Sequence, residues 1–448
     1  MQEYEILNDL SAITAHETYF EMACHFFRRS GFTSSPGSYL IHNKNRRFVK
    51  VGIGEGRRVS LPLAAQWPFD LIAKDGQDVA LFDVVRASVD SEAPCFFLVS
   101  PDFKRAFCDV RLPFAVFVQP QLEFRFSVEK PHGEISYTLD VSGMREAQQM
   151  LSELVDNIVP LSTATPLTPL LFAKASADWK RVESDAAFLE RLEVGILALQ
   201  DHPNGKMTMM RSFFRAIPKE IDRFDIFQQH ARNNGEYACS HFFCIDETTF
   251  SFGCSPENTF EIIGGDLHVD IVASTCKAGQ GEAFERRELI DNPKQQKEHL
   301  ATIESRSARY EPFCDAQRMR LIMPMQIKRL RNVCHLHSLV VGTLRPQITF
   351  FDIAPTLFPI MGANPTDLLP LSDSDRSPHR FYGGIIGHWE KGYTGSFLNL
   401  RNALVQGDTI HAKVGMGVLR ESDAASELAE TEDKISGLME AVFQCCQA

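Results

Sequence analysis

The sequence has no apolar run close to the roughly 20 residues that cross a bilayer, so no membrane span is expected. Its first residues, Met-Gln-Glu-Tyr-Glu-Ile, show neither the basic nor the apolar region of a secretory signal. The expectation is therefore a soluble, cytoplasmic protein. Cys-x-x-Cys spacing is absent, and the eleven cysteines are scattered apart from Cys445-Cys446. That excludes a zinc ribbon or a small disulfide framework and favours reduced thiols. No Lys/Arg cluster stands out, and the formal charge is -12, which argues against a nucleic-acid surface. Gly52-Ile-Gly-Glu-Gly56 lacks the spacing and following helix of a phosphate cradle and reads as a hairpin or bulge. Internal repeats and low-complexity tracts are also missing. An acidic chain that binds an acidic small molecule has to focus positive charge locally or use a metal ion.

What is present is enough apolar material for a large core, 44% of 448 residues. Short apolar runs at Phe48–Gly54, Val79–Val85, Cys95–Val99 and Phe114–Val118 read as buried strands. A helix is expected over 144–158, with Met150, Leu151, Leu154 and Ile158 on one side. Pro160–Pro169, rich in Thr, Pro and Ser, is the candidate linker. It separates an N-terminal α/β portion, 1–160, from a core, 175–448, with the two integrated as one large composite domain. In the core, Asp178–Leu199 has helical spacing, and Asn292-Pro293 supplies an N-cap and a first-position proline for a helix to Tyr310. Strands are expected at 206–214, 238–245, 249–252, 259–263, 268–272, 333–343, 381–388, 395–403 and 411–419, then a helix over 423–444. Many hairpin-spaced strands and few long helices define an antiparallel α+β class.

On the last helix, Glu427, Glu430 and Lys434 fall within an arc of roughly 60°. Such a stripe is either a solvated face of intrahelical ion pairs or a wall that holds a hard cation and an anionic ligand. Cys334, His335 and His337 raise a zinc reading, but they alternate along a strand and no second cluster has zinc spacing. By pattern alone Glu298, with Thr302, Ser305 and Arg309, sits on a polar helix face. A lone Lys206 opening a strand has no assignable role.

Taken in order, the motifs are Lys206, Ser255-Pro256-Glu257, Lys297-Glu298-His299, His335-Leu336 and Phe381-Tyr-Gly-Gly384. Leu400-Arg401, Gly415-Met-Gly417 and the closing Glu427-x-x-Glu430-x-x-x-Lys434 follow. This series resembles the chorismate-utilising enzymes, which include anthranilate, aminodeoxychorismate, isochorismate and salicylate synthases, and it covers roughly 175–445. The resemblance implies large antiparallel sheets packed as a sandwich with helices outside. It also implies a Mg²⁺ site at Glu298, Glu427 and Glu430, consistent with that ion's preference for oxygen ligands. Arg401 would pair with the enolpyruvyl carboxylate. Ser274, Thr275, His335, Tyr382, Gly417 and Lys434 would complete the substrate shell.

Lys206 and Glu257 would carry the reaction type. The resemblance makes the lysine a general base on an attacking water and the glutamic acid the donor to a departing ring hydroxyl. Their tuning must be opposed, with Met207, Met209 and Phe252 as candidates to bury the lysine. The expected activity is Mg²⁺-dependent formation of isochorismate from chorismate, with elimination of pyruvate to salicylate as an open second step. Siderophore or secondary-metabolite biosynthesis would be the setting, and a monomer or weak dimer the state. Two alternatives remain: an ammonia-using aminodeoxychorismate or anthranilate synthase-like enzyme, and a catalytically silent binding protein. Ala273 stands where aminodeoxychorismate synthases carry a nucleophilic lysine, and Ser274 replaces a usual glycine. Val414 and Met416 are bulkier than usual, the stretch 360–378 is irregular, and Gly362 matches neither the salicylate nor the isochorismate pattern.

Overall fold

The computed structural model describes residues 18–447 except 62–77, 102–111, 114, 131–132, 139–146, 148, 150–174, 204, 235–236, 316–318, 330–332, 359–362, 365 and 373–376. The linker at 160–169, Gly362 and nearly all of the 144–158 helix lie outside the described residues.

Eighteen strands among the described residues belong to one antiparallel sheet. In chain order the first nine are β1 Tyr39–Asn43, β2 Phe48–Leu61, β3 Cys95–Val99, β4 Ala115–Ser127, β5 Glu134–Thr138, β6 Lys180–Arg181, β7 Lys206–Ala216, β8 Cys239–Asp246 and β9 Thr249–Ser255. The others are β10 Asn258–Ile263, β11 Asp266–Lys277, β12 Arg320–Arg329, β13 Val333–Thr343, β14 Ala363–Asn364, β15 Ile385–Glu390, β16 Tyr393–Leu398, β17 Asn402–Gln406 and β18 Thr409–Val418. Hydrogen bonding runs β7, β18, β17, β9, β8, β1, β2, β4, β3, β15, β16, β10, β11, β13, β12. Of the hairpin or bulge expected at Gly52–Gly56, β2 has the bulge, a register shift between Glu55 and Arg57.

This sheet closes into a sandwich because alternate residues on both halves are apolar. Tyr39, Ile41, Phe243 and Leu404 from one half meet Phe96, Val116, Ile386 and Phe397 from the other. The opposite faces are covered by helices. Here α1 is Thr18–Arg29, α2 Asp78–Ser88, α3 Asp185–Ala198, α4 Arg223–Asn234, α5 Pro293–Tyr310 and α6 Ala424–Gln447. Helices α1, α4 and α6 bury Phe26, Phe227 and Met439 against Val51, Phe242 and Phe252. On the other outer face α2 places Phe82 and Val85 against Phe97 and Phe350.

Several expectations need correcting. Val79–Val85 belongs to a helix, and Phe82, Val85 and Val89 are buried at three- and four-residue steps. The 381–388 strand begins at Ile385, after a turn in which Gly384 donates to the Phe381 carbonyl at 3.2 Å. The run 395–403 is two strands, broken where Arg401 takes φ +50°. Asp178–Leu199 opens with β6, and its helix starts where Ser184 accepts from the Ala187 amide. Each described cysteine is a free thiol. No helix among the described residues is long and apolar enough to cross a membrane.

Candidate active site

β7 and β18 lie at one end of the strand order, and β11, β13 and β12 at the other. Residues from both ends line a cavity of about 630 Å³. Lys206 and Thr208 come from β7, Gly415 and Gly417 from β18, Ser274 and Thr275 from β11, and His335 from β13. The turn at Pro256-Glu257, helix α5 and the start of α6 complete the wall. All twelve residues picked out in the sequence line this one cavity: Lys206, Glu257, Ser274, Thr275, Glu298, His335, Tyr382, Arg401, Gly417, Glu427, Glu430 and Lys434.

Local structure explains each placement. Lys206 and Thr208 share the cavity side of β7, while Met207 and Met209 alternate to the other side and pack under α3 with Phe188 and Leu192. These methionines therefore do not bury the lysine, which is exposed, and Phe252 lies in the outer core with α4 and α6. Met416 is buried in the same cluster under α3 and, with Val414, is also among the residues that line the cavity. Gly417, facing inward, leaves room for the lysine: a Cβ there would stand 2.9 Å from Lys206 Cε.

The Glu257 turn is held from several sides. Ser255 Oγ lies 3.0 Å from the Glu257 carbonyl and 2.5 Å from that of Leu398. Lys328 donates to the Pro256 carbonyl at 2.6 Å. Glu257 is 7% exposed as a residue, and its Oε1 lies 3.3 Å from Arg306 Nη2. Ser274 sits at a bulge between Ala273 and Thr275, with φ +61°, and its hydroxyl donates to the Gln295 carbonyl at 2.9 Å. This is why glycine is favoured at such a position, and here a hydrogen bond holds serine in it.

Helix α5 starts as expected: Asn292 Oδ1 accepts from the amides of Lys294 and Gln295, followed by Pro293. Glu298, Thr302 and Arg306 then recur at four-residue steps and line the cavity, while Ser305 and Arg309 of the expected polar face are exposed. Asp423 caps α6 by accepting from the Ser426 amide at 2.8 Å, which starts the helix one turn before Glu427.

Charge is unevenly compensated. Lys434 Nζ contacts Glu430 at 2.5 Å and donates to the Gly415 carbonyl at 2.8 Å. Arg401 Nη1 donates to the Lys434 carbonyl at 2.8 Å, and its own carbonyl accepts from the Cys254 amide at 3.1 Å. Among the described residues no carboxylate pairs with Arg401 or Lys206. Burial pushes Glu427 above the usual carboxylate range, and the neighbouring Glu430 adds to this. Burial also drives His335 down to about 3, helped by Arg401 and Lys434, so its ring is neutral beside Thr275 Oγ1 at 3.0 Å.

Sequence reasoning missed Arg306, although its four-residue spacing from Glu298 through Thr302 was a usable signal. Cys334, His335 and His337 do not converge: Cys334 is buried with Leu289 and Leu336, while His337 pairs with Asp270 at 2.9 Å. One group of potential metal ligands among the described residues, Glu123, His388 and Glu390, has its ligand atoms within 4.8 Å of one another. Lys50 already contacts both of those carboxylates at 2.8 Å. The carboxylates of Glu298, Glu427 and Glu430 are not gathered to that separation.

A family model described as chorismate binding enzyme matches residues 80–440, and the chain belongs to that family. Its sequence is 29% identical over 202 residues to an anthranilate synthase component 1 of Haloarcula marismortui, covering 42% of this chain and 38% of that one. It is 25% identical over 299 residues to anthranilate synthase component 1 of Arthrobacter globiformis, covering 63% and 54%. The chain thus spans only about four-tenths to just over half the length of these relatives. In fold it is similar to the menaquinone-specific isochorismate synthase of Escherichia coli, with TM-score 0.68, 17% identity and coverage of 99% and 94%. It is also similar to anthranilate synthase component I of Streptococcus pneumoniae, with TM-score 0.70, 16% identity and coverage of 88% and 92%.

Proposed function

We propose that this chain converts chorismate to isochorismate with water as nucleophile. The observation that carries the reading is Lys206: a lysine without a carboxylate partner among the described residues, lying over Gly417 in the cavity that Glu257 also lines. In this reading its amine takes a proton from water while the water oxygen bonds to the ring. The ring double bonds shift, the bond to the departing hydroxyl breaks, and Glu257 supplies the proton with which that oxygen leaves as water. Arg401 offers a planar fork to a substrate carboxylate, and its lack of an ion-pair partner among the described residues supports that role.

The carboxylates of Glu298, Glu427 and Glu430 suit a hard cation, and Glu427 is pushed up first by burial and then by Glu430, while Lys434 is drawn to Glu430. These three residues would hold Mg²⁺, which would neutralise a substrate carboxylate when bound.

A second reading, amination by ammonia, is favoured by the names of the sequence relatives. Incubating the protein with chorismate, with and without Mg²⁺ and ammonium, separates the two. Isochorismate that requires Mg²⁺ and ignores ammonium is expected, and salicylate with pyruvate would add the elimination step. An amino product formed only with ammonium would replace the proposal. Chorismate bound without turnover would make this a silent binding protein.

A further inference from the structure

A general acid has to carry a proton, yet Glu257 is in contact with a guanidinium. Two influences oppose each other at this carboxyl group. Burial at 7% exposure disfavours its charge, while Arg306 Nη2 at 3.3 Å from Oε1 favours it. We propose that Arg306 is a positioning residue that orients the Glu257 carboxyl group and sets the pH range over which it can hand on a proton. The inference rests on the acid role given to Glu257 above.

The surrounding contacts isolate Arg306 as the adjustable part. The backbone of 255–257 is held by Ser255 Oγ, by the Leu398 amide at 3.3 Å from the Glu257 carbonyl, and by Lys328 on the Pro256 carbonyl. None of these contacts involves the Glu257 side chain. Of the other charged or titratable groups nearby, Asp270 of β11 is paired with His337 of β13, and Lys328 of β12 points to a carbonyl. Tyr310 of α5 donates to the Thr259 carbonyl at 2.7 Å. Lys206 of β7 lines the same cavity. Arg306 itself is kept in place by its helix and by a long contact from Nη1 to the Asp270 carbonyl, 3.5 Å. Removing its charge therefore alters the side-chain environment of Glu257 and leaves the turn where it is.

The test compares wild type with Arg306→Met, Arg306→Gln and Arg306→Lys. Glutamine keeps donors for the Asp270 carbonyl and lysine keeps the charge. For chorismate turnover, the alkaline limb of kcat/KM is expected to move up by about one to three pH units in the methionine and glutamine variants. The lysine variant should stay close to wild type. A limb that does not move in either folded neutral variant overturns the proposal, as would an equal shift in the lysine variant.

If wild type does not turn over chorismate, the reaction assigned above fails, but the role of Arg306 is still decided by a second readout. The ¹³C-labelled Glu257 carboxyl, assigned with Glu257→Gln, is titrated by NMR in wild type and Arg306→Gln. An upward displacement in the variant supports the proposal, and superimposable titrations end it.

Discussion

The molecule holds two dense groups of charge, and they are built on opposite rules. One lies inside the sandwich: Lys50 contacts Glu123 and Glu390 at 2.8 Å each, Tyr39 donates to Glu123 at 2.7 Å, and Arg125 reaches Glu390 at 3.0 Å. Lys50 and Glu123 are fully buried, and each charge meets its opposite within the fold. Burial alone would raise Glu390, but Lys50 and His388 overcome it and hold the carboxyl down at about 2. The other group lines the cavity and, among the described residues, leaves Lys206 and Arg401 without carboxylates while burial pushes Glu427 up. Charge that closes on itself makes structure, and charge left open makes a site for an ion or an anion.

Mutations that exchange these behaviours would break the comparison. The largest effect is expected for Lys206→Ala, a loss of about 10²- to 10⁴-fold in chorismate turnover. Because Lys206 is exposed, its denaturant midpoint should change by no more than about 0.5 kcal/mol in stability. Lys50→Met should do the reverse, destabilising by about 3–5 kcal/mol in chemical denaturation through an unpaired buried charge. Chorismate binding to the fraction that remains folded should be unchanged. A stable Lys50→Met protein would show that the interior group is not the structural one.

Acid tests the same distinction more gently. Burial depresses His42, His241, His335 and His379 to about 3, and His299 and His388 to about 4. Their stabilising contribution is complete above the unfolded value of about 6.5 and is lost as pH falls from there towards 3–4. Each such histidine costs about 1.4 kcal/mol per unit of that fall. Thermal midpoints measured from pH 7 to 4 should decline, and a flat profile would contradict burial of neutral rings. The smallest effect is expected for Gly417→Ala. Its new methyl meets only the flexible end of Lys206, so stability should hold while turnover drops about tenfold.

How much was visible beforehand follows from the range of each signal. Local chemistry was legible: Asn292-Pro293 starts α5, β13 has the bounds 333–343, and the Glu427-to-Lys434 stripe opens α6. The ordered motifs also brought twelve residues to one cavity. What failed was information carried by partners distant in sequence. Helix α4 was missed because it is polar, and it is buried through contacts such as His230 Nε2 with the Arg401 carbonyl at 2.8 Å and Asn233 with Gly437 at 3.2 Å. β12 was missed because Arg, Pro and Gln interrupt its apolar pattern, which an edge strand tolerates. Arg306 was passed over because Glu257 lies on a distant turn. Lys50 stands in sequence simply within an apolar strand run, and its partners Glu123 and Glu390 reach it from β4 and β15.

The antiparallel pairing of β7 with β18 has a consequence for how the protein is made. Lys206 sits opposite the last residues of β18, and the carboxylates of α6 come later still. A ribosome that has translated as far as Leu400 has already released Lys206, Glu257 and Glu298, but the wall that joins them does not yet exist. Until β18 arrives, the edge of β7 that it will cover waits unpaired, a surface for chaperones or for misassociation. Premature termination in this last stretch should therefore yield aggregation or degradation rather than a weaker enzyme.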